Sequence, residues 1–205
     1  MQIEAEALAV ERGGRIIFSN IGFRLAAGEA LLVTGPNGAG KSSLLRAIAG
    51  LLPLADGKIT AAPGAERLAE FCHYVGHADA LKPSLTVVEN LAFWAALLAR
   101  GGSVAGDSEQ NIETALARLG LARIADLPSA YLSAGQKRRA ALARLLAAGR
   151  PLWLLDEPAT ALDAASRAML TEIMQAHLSE GGMIIAATHA PLALPARELA
   201  LGGTV

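Results

Sequence analysis

The run Ala30 to Thr34 leads directly into Gly35-Pro36-Asn37-Gly38-Ala39-Gly40-Lys41-Ser42-Ser43, and no other stretch of this 205-residue chain restricts its fold so tightly. The spacing satisfies G-x-x-x-x-G-K-[ST], a pattern that works where a buried strand turns sharply into a helix. Glycines let backbone N–H groups curl around phosphates, and the helix N-terminus adds a favourable dipole. Lys41 would reach the β- and γ-phosphates of a nucleotide, and Ser42 would ligate Mg²⁺. The residues from Gly35 to Ser43 are therefore the candidate nucleotide-binding loop. A strand over 30–34 and a helix from about Lys41 to Gly50 are predicted on either side of it.

A second chemical cue lies far downstream. Leu152-Trp153-Leu154-Leu155 is apolar throughout and ends in Asp156 and Glu157, as expected of a buried strand that delivers carboxylates to the edge of a nucleotide site. Asp156 would hold Mg²⁺, directly or through water, and Glu157 would orient and deprotonate an attacking water. Acids also end strands simply by being solvated, so the upstream phosphate loop is what gives this pair its meaning.

The pattern between and around these two segments sets the architecture. Short β-like runs from Ile3 to Leu25, with turn signals at Gly13-Gly14 and Ser19-Asn20, predict a small antiparallel sheet. Apolar residues recur at three- and four-residue steps in Val87 to Arg100, Asn111 to Leu119 and Gly135 to Ala147, which predicts helices. Strand-like runs return at Leu152 to Leu155 and Met183 to Ala187, with a helix near Ala164 to His177 between them. That alternation predicts a mostly parallel sheet with crossover helices. The expected organisation is one domain over 1–205, with a core from 1–77 and 149–205 and an inserted helical subdomain over 78–148. Gly101 to Asp107 reads as a flexible stretch, and no appended regulatory domain is expected after His189.

Composition narrows the function classes. A net charge of −1 and an aromatic content of 4% provide neither the basic stripe nor the stacking platforms of a nucleic-acid binder. The 53% hydrophobic share is that of a packed globular chain and is high enough to suggest a partner-covered face. Cys72 is alone, and Glu4 and Glu6 break any signal-like N-terminus, so a cytoplasmic protein is expected. The longest apolar run, Leu91 to Ala99, falls well short of the roughly 20 residues a membrane span needs. Any crossing of a bilayer would be supplied by another subunit.

Leu132-Ser133-Ala134-Gly135-Gln136 resembles the LSGGQ signature of ABC ATPases, and it stands between the phosphate loop and Asp156-Glu157, as it does in that family. Ala161-Leu162-Asp163 looks like the family's D-loop, and Thr188-His189 like its switch histidine. The resemblance covers nearly the whole chain. It implies an α/β fold: a P-loop NTPase core of the ABC ATPase kind with a mostly parallel sheet, a small N-terminal antiparallel β-subdomain and an inserted α-helical subdomain. It also implies ATP and Mg²⁺ as ligands, and Lys41, Glu157 and His189 as catalytic residues. In the family the signature loop serves the nucleotide held by another subunit, so a second copy is expected to close head to tail around two ATP molecules. Physically, Ser133 and the N–H groups of Ala134 and Gly135 stand at a helix start that can receive a γ-phosphate. The basic run from Lys137 to Arg144 otherwise reads as a solvated helix face.

Two departures from the family pattern sharpen the reading. The aromatic that normally stacks on adenine falls at Arg12, whose guanidinium could substitute for it or could equally be a solvated turn residue. The loop that usually carries glutamine reads Tyr74-Val75-Gly76-His77, and no glutamine occurs between Gln2 and Gln110. His77 is thus the candidate coupling residue, with a histidine packed at a strand end as the alternative. That loop, the LSAGQ form, the Leu85 to Leu91 segment and Thr188-His189-Ala-Pro-Leu192 resemble the ATP-binding subunits of cytochrome c biogenesis haem exporters. The resemblance implies integral membrane subunits, haem-handling cytochrome c maturation proteins, and a peripheral position on the cytoplasmic face of the bacterial inner membrane. Another small exporter of lipid or drug, or a soluble ABC protein, remains the alternative. Cys72, His73 and His77 suggest a metal or haem cluster, yet they lack a second ligand pair at zinc-like spacing and more simply form a strand end plus a nucleotide-loop histidine.

Overall fold

Two compact units divide the chain. The first comprises Met1–Gly76, Pro151–Pro158 and Met174–Val205, and the second His77–Arg150 and Ala159–Ile173. The structure is a computed structural model that describes residues 1–62, 68–99, 108–189 and 192–202. The expected flexible stretch Gly101 to Asp107 lies outside the described residues, as does Pro191.

In the first unit, β1 (Gln2–Arg12) and β2 (Arg15–Ala26) form an antiparallel hairpin turning at Gly13-Gly14. Strand β3 (Ala30–Thr34) enters the glycine-rich loop, and α1 (Lys41–Ile48) leaves it. β4 (Asp56–Ala62) pairs with the other side of β1, giving the small sheet the order β2-β1-β4. β5 (Cys72–Val75), β6 (Leu152–Asp156), β7 (Met183–Ala187) and β8 (Arg197–Ala200) complete a second sheet, of order β5-β6-β7-β3-β8, with every pairing parallel. β6 and β7 are buried at every position, which is why their sequences are unbroken apolar runs and not alternating ones.

The apolar faces of both sheets meet α1 in a common core that includes Ile3, Leu8, Leu25, Val33, Leu44, Leu45, Leu154 and Ile185, all without exposed surface. Each such aliphatic side chain contributes about 1.5–3 kcal/mol by leaving water. Behind the sheet, Trp153 stacks on His177 with centroids 3.7 Å apart and planes at 7°. Burial holds the His177 imidazole below its usual pKa, so the ring packs as a neutral group.

The second unit carries α2 (Val87–Ala99), α3 (Ser108–Arg118), α4 (Ala134–Ala147) and the first part of α5 (Ala164–Ser179), whose last residues belong to the first unit. Asn90, only 1% exposed, organises the approach to α2. Its amide donates to the carbonyls of Lys82, Leu85 and Thr86 at 3.2, 3.1 and 2.9 Å, and its oxygen accepts from Lys82 N–H at 2.8 Å.

Two expectations change here. Residues 159–173, assigned to the core on sequence, cluster with the helical unit. Nor is the basic run of α4 a solvated face: Arg138 and Arg144 are 3% and 1% exposed. Arg138 pairs with Asp79 at 3.4 Å, and the Arg144 guanidinium lies 4.4 Å over the Trp94 ring, where burial lowers its pKa to about 10. Both arginines point inward because each finds a carboxylate or a π-face that offsets its lost hydration. Among the described residues no helix is long and apolar enough to cross a membrane.

Candidate functional site

The phosphate loop closes on the β1–β2 hairpin. Gly40 takes φ +98°, and a Cβ there would fall 2.7 Å from Ile17 Cγ2 and 2.9 Å from Phe18 Cδ1, so only glycine permits this approach. The Leu44 N–H donates to the Gly40 carbonyl at 2.8 Å and opens α1. Lys41 is 8% exposed, and its ammonium donates to the carbonyls of Gly35 at 2.8 Å and Pro36 at 3.0 Å. The loop thus curls around its own cation, placing a desolvated positive charge at the mouth of a ring of backbone groups.

The second half of the site arrives with β6. Asp156 is its last residue, 3% exposed, in register with Ala187 of β7. Ser42 Oγ donates to Asp156 Oδ1 at 3.0 Å, joining the start of α1 to the end of β6 across 114 residues of sequence. The Tyr74 hydroxyl, on β5, donates to Asp156 Oδ2 at 3.4 Å and itself accepts from Arg46 Nε at 3.4 Å. Burial raises the Tyr74 pKa, and the Asp156 charge adds to that shift, so the phenol stays a neutral donor. One hydroxyl and one buried carboxylate in contact are a hard-oxygen pair of the kind Mg²⁺ accepts beside phosphate oxygens and water. The residues fit that ion.

Glu157 follows with φ +50°, a left-handed conformation that costs a non-glycine residue about 1 kcal/mol or more. Its N–H donates to the Ala187 carbonyl at 2.8 Å, which holds the turn in place. The reversed backbone lets the carboxylate lie beside His189: Oε1 is 3.3 Å from His189 Nε2, and Oε2 accepts from the His189 N–H at 3.4 Å. His189 Nε2 is also 3.4 Å from Lys41 Nζ. One ring nitrogen cannot accept from Lys41 and donate to Glu157 at once, so the tautomer decides which neighbour it serves. Lys41, His189 and Glu157 form a continuous polar row in the first unit.

Most of the remaining predicted residues belong to the second unit. Ser133 caps α4 with a reciprocal pair: its Oγ accepts from Gln136 N–H at 3.3 Å, and Gln136 Oε1 accepts from Ser133 N–H at 2.8 Å. Leu132 is 5% exposed and anchors the turn, while Ser133 and Ala134 face solvent. The first-turn N–H groups of Ala134 and Gly135 have no acceptor within the helix. A Cβ on Gly135 would come within 3.2 Å of the Ala161 carbonyl, so the helix start and the following loop are pressed together. Asp163 caps α5 by accepting from Ser166 N–H at 2.8 Å, and its hydrogen bonds to Ser166 lower its pKa. His77 belongs to the second unit, where with Asp79, Ala134, Arg138, Thr160 and Ala161 it lines a cavity of about 190 Å³. Arg12 is exposed at the hairpin turn.

Sequence reasoning missed Tyr74, Arg46, Ile17 and Phe18 as parts of the site. Tyr74 alone left a signal, since it stands in a loop already singled out for its missing glutamine. Cys72 is buried with its Sγ 3.7 Å from the Ala69 carbonyl, and among the described residues no three His, Cys, Asp or Glu side chains gather to hold a metal.

Comparison with known proteins accords with this geometry. A family model described as ABC transporter matches residues 18–160. The chain is 53% identical, over 99% of both chains, to "Cytochrome c biogenesis ATP-binding export protein CcmA" of Nitrobacter winogradskyi. It is 55% identical, again over 99% of both, to the protein of that name from Rhodopseudomonas palustris strain BisB18. A solved structure described as an ATP binding subunit of an ABC transporter matches with a TM-score of 0.81 at 26% identity, covering 92% of this chain and 80% of the other. With the family model spanning most of the chain and relatives more than half identical over its full length, the chain belongs to the ABC transporter ATP-binding family, within it to the cytochrome c biogenesis ATP-binding export proteins.

Proposed function

We propose that this chain is the ATP-hydrolysing subunit of an ABC transporter complex that energises haem export, with release of haem-loaded chaperone, in cytochrome c biogenesis. The observation that carries the reading is the row Lys41, His189, Glu157 beside the Ser42–Asp156 contact. It brings a phosphate-neutralising cation, a general base and a metal-binding oxygen pair together in one unit. The loop from Gly35 to Ser43 cradles the phosphates, and Lys41 leaves its own carbonyls to pair with the β- and γ-phosphate oxygens. Ser42 and Asp156 would hold Mg²⁺, which would supply neutralisation of phosphate charge. Glu157 orients water in line with the γ-phosphate and accepts its proton, and His189 contacts the γ-phosphate while holding the Glu157 carboxylate in place.

The signature loop completes a site in a second copy. Ser133, with the N–H groups of Ala134 and Gly135 at the start of α4, can receive a γ-phosphate, and membership of the ABC ATPase family supports a head-to-tail dimer in which that phosphate belongs to the other copy's nucleotide. Phe93 and Leu97, 39% and 49% exposed on α2, support a face covered by an integral membrane subunit, with haem-handling maturation proteins beyond it. The complex lies at the cytoplasmic face of the bacterial inner membrane, with this chain peripheral. Complementation tests the arrangement: a Ser133→Arg chain and a Lys41→Ala chain, each inactive alone, are mixed. Half of randomly paired dimers then hold one intact site, so recovery of roughly a quarter of the wild-type rate is expected. No recovery in a mixture shown to form mixed dimers would end the head-to-tail reading.

His77 takes the part of the absent glutamine, passing the state of the nucleotide to the segment from Pro83 to Leu91 and its membrane partner. Imidazole can donate and accept as a carboxamide does. In the intact complex His77→Gln should retain both ATPase activity and haem release, whereas His77→Ala should impair release severalfold more than ATP binding. An alanine variant normal in both assays would remove His77 from the coupling path.

A further inference from the structure

Tyr131 is the most exposed large hydrophobic side chain described, at 75%, in a chain with only two tyrosines, four phenylalanines and two tryptophans. The other aromatic rings placed above have partners. Phe18 lies under Gly40, Tyr74 bonds Asp156, and Trp153 stacks on His177. Phe93 and Trp94 meet edge to face and carry Lys82 and Arg144 over their rings. Tyr131 has neither a ring contact nor a hydroxyl partner among the described residues.

Its backbone, by contrast, is held rigidly. The Tyr131 N–H donates to Pro128 O at 3.0 Å, and the Ala130 N–H to Pro83 O at 3.0 Å. Ser129, 2% exposed, gives its N–H to Leu85 O at 2.9 Å and its hydroxyl to Lys82 O at 2.7 Å. Leu132 is buried on the far side. The phenol is therefore presented to solvent from a fixed turn, two residues ahead of Ser133.

The nucleotide side has the complementary need. The β1–β2 hairpin packs Ile17 and Phe18 against the phosphate loop, and the exposed side chains flanking its turn are Glu11, Arg12, Arg15 and Ile16. A guanidinium can cover one face of a base, but no aromatic ring of the hairpin is free to cover the other. Two residues of chain span at most about 7 Å, and a tyrosine side chain adds several ångströms. That reach matches the separation of a terminal phosphate from its base across a triphosphate and ribose. We propose that Tyr131 of one copy stacks on the adenine of the nucleotide held by the phosphate loop of the other. This rests on the head-to-tail reading above. The base site is then shared between subunits, and adenine binding itself favours the closed pair.

Steady-state KM with ATP and with UTP, whose single-ring base stacks less, tests this in the full chain. Tyr131→Ala should raise KM for ATP roughly tenfold, the loss expected when a base loses an aromatic platform, and should raise KM for UTP severalfold less, because the smaller ring has less stacking to lose. Tyr131→Phe, which keeps the ring, should preserve the advantage of ATP over UTP. An equal rise for both nucleotides would assign Tyr131 to holding Ser133 in place, and unchanged values would leave it without a ligand; either result overturns the proposal. Dimerisation of Glu157→Gln on adding ATP, followed by light scattering, separates the two levels. If that dimer forms while Tyr131→Ala is normal, only the stacking fails, and if no dimer forms the head-to-tail reading falls and the stacking with it.

Discussion

Alanine in place of Lys41 is expected to lower ATP turnover by at least about a hundredfold, the cost of deleting a preorganised charge that meets negative charge developing in the transition state. The ammonium is 8% exposed and donates to the carbonyls of Gly35 and Pro36, so its charge has already lost most of its water before a nucleotide arrives. Exchanging two neutral carbonyls for phosphate oxygens is then strongly favourable, and nothing else in the row can replace the cation. His189 is 3.4 Å away but must choose between Lys41 and Glu157. The fold should survive, because the start of α1 is also tied by Leu44 N–H to Gly40 O and by Ser42 to Asp156. Phosphate release, read beside a thermal melt, decides the matter: a folded Lys41→Ala protein turning over within a few-fold of wild type would remove the loop from the chemistry.

Glu157→Gln should separate binding from hydrolysis. Glutamine matches glutamate in shape and can still accept the His189 N–H through its amide oxygen, so the strained turn at φ +50° and the polar row are retained. What it cannot do is take a proton from water, and loss of a positioned base lowers rate by about 10²- to 10⁴-fold. ATP should therefore still bind, and a nucleotide-bound dimer should accumulate. Nucleotide retention and dimer mass, compared with phosphate release, read the two effects separately. Hydrolysis near the wild-type rate would place the base elsewhere.

The elements most legible in the sequence were those whose signals are local. Strands 30–34 and 183–187 were bounded to the residue, because an unbroken apolar run between turn residues has few other uses. The helices matched within a few residues at their ends, where fraying and caps blur any pattern. β4 and β8 were not anticipated: Asp56-Gly57-Lys58 and Arg197-Glu198 carry the charges of exposed edge strands, and their pairing partners, β1 and β3, are distant in sequence. The arginines of α4 misled for a related reason, since a charged residue reads as solvated until its partner, Asp79 or Trp94, is brought beside it.

By itself the sequence determined the phosphate loop, the acidic end of β6, the signature helix start and the family to which they belong. Each is a short run whose chemistry depends on neighbours along the backbone: glycines that free N–H groups, a strand that ends in carboxylates, a cap that opens a helix. Tertiary structure alone decided which of these meet, and what else joins them. It brought Tyr74 and Ser42 to opposite oxygens of Asp156, set His189 between Lys41 and Glu157, and left Tyr131 bare on a rigid turn. The physical reason is that parallel pairing of β5, β6, β7 and β3 aligns the ends of strands far apart in the chain, so the loops leaving them share one edge. Hydrogen bonds of about 3 Å between such loops depend on that register, which no local pattern of residues encodes.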